Sequence, residues 1–126
     1  MAHLVSRAQF AELVERALAE LPRRFAQFLE EVPVEIRDRS TAAQRRRAGV
    51  ERDSLLLGLY QGVPRTERSV EHSGVIPDVI YIFQEDVELA SDSEQDLVDQ
   101  VRITVLHEIG HHFGLDEDDL GELGYG

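Results

Sequence analysis

Residues 97–114 read LVDQVRITVLHEIGHHFG, and this stretch decides the fold. With Leu97 at 0° on a helical wheel, Val101, Val105 and Ile109 fall at about 40°, 80° and 120°, and Leu106 near 180°. That is the apolar arc of a core-packing helix. His107 and His111 fall at about 280° and 320°, sharing a face outside the arc, and Glu108 lies near 20°, on its border. Ser91, Asp92 and Ser93 offer N-caps, and Glu94 and Asp96 favour a first helical turn. The pattern predicts one long helix running to about Phe113, with Gly114 placed to stop it.

The five residues 107–111 form the pattern H-E-x-x-H. Two residues four apart on a helix lie one turn apart on one face, so both imidazoles can reach one tetrahedral zinc ion. A Glu between them projects toward the water such a metal holds and can act as its base. With five histidines in the chain, the pattern arises by accident at a rate of roughly 2%. Its weight therefore comes from the helix beneath it and from the glycine three residues on. His112 falls near 60°, inside the apolar arc, and reads as a buried histidine bonded to backbone rather than as a ligand. His3 and His72 have no neighbours at ligand spacing. A third ligand must come from elsewhere, and Asp116, Glu117, Asp118, Asp119 and Glu122 follow the helix. A calcium loop is excluded there, because Leu120 stands where a carboxylate is needed.

Outward from this helix, Ser6 and Gln9 resemble a capping box, and Phe10, Leu13, Val14, Ala17, Leu18 and Leu21 follow helical spacing until Pro22. Phe25, Phe28 and Leu29 predict a further turn or two. Val32, Val34 and Ile36 alternate with polar residues as a half-buried strand does. Residues 38–53 are polar and rich in arginine, and read as a solvated, mobile connector that has room for a helical turn. Leu55–Tyr60 reads as a second strand, and Val79–Phe83 as a third. Residues 65–78 are polar with turn signals, and residues 116–123 allow a final short helix. The order predicts a single α+β domain over residues 1–126, with a small sheet of about three strands.

Composition narrows the function. The chain has 126 residues and no cysteine, which excludes a disulfide scaffold, thiolate ligands and a cysteine nucleophile. All thirteen basic residues are arginine, so there is no lysine nucleophile. Residues 1–63 carry ten Arg and nine acids, and residues 64–126 three Arg and sixteen acids, giving +1 and −13 and the overall −12. Such a balance should repel nucleic acid, and no apolar run reaches membrane-spanning length. A soluble, cytoplasmic protein is expected.

Three stretches carry a family likeness. Residues 104–126, TVLHEIGHHFGLDEDDLGELGYG, together with LLGLYQGVPRTER (56–68) and IPDVIYIF (76–83), resemble the minimal zincin-like metallopeptidases. The resemblance implies a small sheet packed with an N-terminal helix and a long active-site helix. It implies one zinc ion per chain, with His107 and His111 as ligands and Glu108 as catalytic base. The family pattern is H-E-x-x-H-x-x-G-x-x-D, in which the final Asp is the third ligand. Here position 117 is Glu, so Glu117 is the first candidate for that ligand and Asp116 the second. The sole methionine is Met1, so a methionine turn beneath the metal is absent. Tyr125 stands where a C-terminal tyrosine is thought to replace it.

The implied activity is zinc-dependent hydrolysis of a peptide or protein substrate. Val79–Phe83 is one candidate for an exposed strand edge that holds an extended peptide, and a homodimer is one way to complete the cleft. The rival reading is a non-catalytic zincin-fold module that binds metal or a protein partner without hydrolysis.

Overall fold

Ser6 starts the first helix as the sequence predicts, its side chain accepting a hydrogen bond from the Gln9 amide. A computed structural model describes residues 2–62 and 78–112, with only the backbone described at His111 and His112. The elements are α1 (Arg7–Ala19), α2 (Arg23–Ala26), a 3-10 turn (Phe28–Glu30), β1 (Val34–Arg37), α3 (Ala42–Ala48), β2 (Gly58–Gln61), β3 (Val79–Phe83), α4 (Gln84–Leu89) and α5 (Glu94–His112). This is an α+β fold with a three-stranded sheet. Among the described residues, no helix is long and apolar enough to cross a membrane.

The sheet order is β1-β3-β2, with β1 parallel and β2 antiparallel to the central β3. Side chains alternate across β3 as a pleated strand demands. Ile80 and Ile82 face the main core, whereas Tyr81 and Phe83 belong to a smaller cluster with Leu56, Leu59, Ala48 and Val50. The main core joins Phe10, Leu13, Val14 and Ala17 of α1 to the arc of α5 that the wheel defines. Leu97, Val101, Val105, Leu106 and Ile109 are all buried, and Glu108 on the border of that arc is half-buried.

Gly58 sets the distance between α5 and the sheet. A Cβ at this position would stand 2.7 Å from the Thr104 Cγ2 and 2.8 Å from the Tyr81 carbonyl oxygen. The Thr104 methyl of α5 therefore rests directly on the strand backbone, while the Tyr81 carbonyl is the fixed obstacle to any side chain at position 58.

Four expectations need correction. Val79–Phe83 is the central strand, so it has no free edge on which to hold a peptide. Its unbroken apolar run reflects burial on both faces rather than an edge. Residues 38–53 are not a loose connector: Thr41 and Gln44 form a full capping box that starts α3, and Gly49 at φ 72° ends it. Arg45 reaches back to the carbonyls of Glu51, Arg52 and Ser54, and Arg39 pairs with Glu85. β2 spans Gly58–Gln61, shorter than the expected Leu55–Tyr60; its ladder with β3 reaches back as far as the Leu57 carbonyl, and before that the Leu56 amide is held by the Asp86 carboxylate. The sequence reading gives α4 no helix. Its buried face includes the polar Gln84 and Glu88, which bind the N-terminal segment: the Val5 amide donates to Glu88 Oε2 at 2.9 Å, and Gln84 donates to the Val5 carbonyl. Gly114 and residues 116–123, read as a helix stop and a short helix, lie outside the described residues, as does most of the polar stretch 65–78.

Gly58→Ala should destabilise the fold by about 1–3 kcal/mol, because the Tyr81 carbonyl cannot move aside as a side-chain tip can. Chemical denaturation of the variant against wild type measures this.

Candidate active site

α5 runs alongside β2 in the same direction, with Thr104 against Gly58 and Glu108 against Tyr60. The match has a geometric basis. Two strand residues advance about 6.6 Å and four helical residues about 6 Å, so one helical turn keeps step with one strand repeat. At the second of these contacts the Tyr60 backbone N–H donates to Glu108 Oε1 at 2.7 Å.

That amide is available because of its place in the ladder. The Phe83 amide donates to the Leu57 carbonyl at 2.9 Å, which makes Leu57 and Phe83 a hydrogen-bonded pair. Such pairs alternate in an antiparallel ladder, so Tyr60 and Ile80 form a non-hydrogen-bonded pair. The N–H of Tyr60 therefore points away from β3 and toward α5, on the side of β2 that no other strand among the described residues pairs with. Consistently, the Ile80 amide is used on the other side, by the Pro33 carbonyl.

The Tyr60 side chain packs against the main core, and its hydroxyl donates to Asp78 Oδ2 at 2.7 Å. Asp78 is only 8% exposed. It tucks against Gly62, where a Cβ would collide with the carboxylate. Arg47 reaches the Gly62 carbonyl at 3.3 Å. The sequence reading names none of Gly58, Tyr60, Gly62 or Asp78 as a site residue. The available signal is a glycine inside a strand pattern, which marks a close backbone approach. Nothing in the sequence connects Tyr60 with Asp78.

His107 is half-buried, and its Nε2 atom is shut off from solvent. The helix continues unbroken through His112, so positions 107 and 111 are one turn apart on it. A half-buried imidazole, a second histidine one turn on and a carboxylate between them suit zinc. Among the described residues no group of three metal-ligating side chains comes together. The side chains of His111 and His112, and all of Asp116, Glu117 and Tyr125, lie outside the described residues.

Residues 29–126 match the family described as zincin-like metallopeptidase. The chain belongs to the zincin-like metallopeptidases. No curated protein matches it. Among solved structures, a conserved hypothetical protein from Thermo thermophilus is similar, with 21% identity and a TM-score of 0.56. The likeness covers 86% of this chain and 94% of that one, and it bears on the fold alone. Zincin-like membership accords with the α+β architecture and with the H-E-x-x-H pattern carried on α5.

Tyr60→Phe removes one hydrogen bond to a buried carboxylate and should cost about 1.5–3 kcal/mol of stability. Thermal or denaturant unfolding of the variant checks this value.

Proposed function

We propose that the protein is a zinc-dependent peptidase in which Glu108 is the catalytic base. The observation that carries this reading is the position of the Glu108 carboxylate: on α5, next in sequence to His107, and against the Tyr60 amide of β2. His107 and His111 would hold the ion, with Glu117 as third ligand or Asp116 in its stead. When bound, zinc supplies a Lewis acid that lowers the pKa of water toward 7 and polarises a carbonyl.

The chain's own groups do the rest. Glu108 takes the proton of the attacking water and passes it to the leaving amine as the peptide bond breaks. One of its oxygens is held by the Tyr60 amide, and a carboxylate has acceptor capacity to spare for the water. Tyr125 is assigned to the oxyanion of the tetrahedral intermediate, as a hydroxyl donor. The peptide substrate lies beside α5 where Glu108 meets β2, rather than along the central β3, both edges of which are paired.

The test is cleavage of a mixed peptide library by zinc-supplied protein, read by mass spectrometry, for wild type and Glu108→Gln. Wild type should cleave, and the variant should lose about 10²-fold or more of the rate. Equal rates in the two proteins contradict the assignment of Glu108.

A further inference from the structure

We propose that Asp78 is a positioning residue for Glu108, acting through Tyr60. The inference rests on the reading of Glu108 as catalytic base. It adds to the site a residue from outside α5, at the start of the central strand.

The chain of contacts is short. Glu108 Oε1 accepts from the Tyr60 amide at 2.7 Å, and the Tyr60 hydroxyl donates to Asp78 Oδ2 at 2.7 Å. A glutamate on a half-buried helix face has three rotatable bonds and gains a defined position only from its partners. One such partner here is an amide on a strand of four residues at the edge of the sheet. The ladder to β3 holds this amide only through the pairs on either side, Leu59 with Tyr81 and Gln61 with Val79, and the second of these is the last pair of the strand. The tyrosine side chain supplies the second constraint. Its ring packs on the core, and its hydroxyl is tied to the residue that immediately precedes the central strand. One end of the residue thus holds the base, and the other is anchored at the root of β3.

Gly62 makes the anchor possible. It lies one position past the last register pair, Gln61 with Val79, and so opposite Asp78. Without a Cβ, it leaves room for the carboxylate to lie against β2 and reach back to the tyrosine. Burying a carboxylate is costly unless hydrogen bonds compensate it. A purely structural role would be met as well by an apolar pair at this place.

The test follows amide hydrogen exchange by NMR in the full chain, for wild type, Tyr60→Phe, Asp78→Ala and Asp78→Asn. In Tyr60→Phe and Asp78→Ala, exchange at residue 60 should rise about tenfold, as expected for loss of a bond worth a factor of ten. Asp78→Asn should recover much of the protection, because its carboxamide oxygen still accepts from the phenol. It also serves as the milder variant should the others fold poorly. Once each variant's own loss of unfolding free energy is subtracted, the rise at residue 60 should remain, while the Leu59 and Gln61 amides, which pair with β3, stay within about twofold of wild type. Unchanged protection at residue 60 overturns the proposal, and so does parallel loss at all three positions, which is general loosening. With a cleaved peptide in hand, kcat should fall about ten- to a hundredfold at constant KM. A change in KM alone overturns the positioning role. Absence of any hydrolysis by wild type would remove the peptidase reading, while the exchange pattern still decides whether Asp78 holds the amide that holds Glu108.

Discussion

The close approach of α5 to β2 at Gly58 is the constraint on which the site depends. A Cβ there would meet both the Thr104 methyl of α5 and the Tyr81 carbonyl of β3, so the bare glycine backbone is what the helix packs on, and Glu108 meets the Tyr60 amide one turn further along. A packing feature in the sheet thus fixes the position of a carboxylate in the site. It does so because helix and strand advance at nearly equal rates, so a fit at one contact is preserved at the next.

The long periodic elements were legible in the sequence. The apolar run of α5 and the apolar stripe of α1 both carry their burial in their spacing. Leu97, Val101, Val105, Leu106 and Ile109, which the wheel places on one arc, are all buried. Elements that depart from apolar periodicity were not legible. α4 buries a glutamine and a glutamate to bind the N-terminal segment, and α3 is announced by a capping box within a run of arginines. The place of Val79–Phe83 within the sheet was also hidden. A five-residue apolar run identifies a buried strand but not its neighbours, and only the pairing shows it to be central.

The site divides along the same line. His107, Glu108 and His111 form a local pattern, readable because it lies within a single helix, on which positions 107 and 111 are one turn apart. Tyr60, Asp78 and the two glycines act through tertiary contacts, and their sequence separations carry no periodic signal. The arginine-rich segment illustrates the converse. Its composition points to solvent, and most of it, Arg39 included, is exposed, yet Arg45 is tied to the carbonyls of Glu51, Arg52 and Ser54. Composition describes what a segment can tolerate; partners determine what it does.

The central claim is that α5 carries a zinc site built on His107 and His111. Elemental analysis of wild type and His111→Ala, purified identically and supplied with zinc, tests it most directly. The account predicts about one zinc ion per wild-type chain and loss of that zinc in the variant. Absence of zinc from wild type, or equal zinc in both proteins, would contradict it.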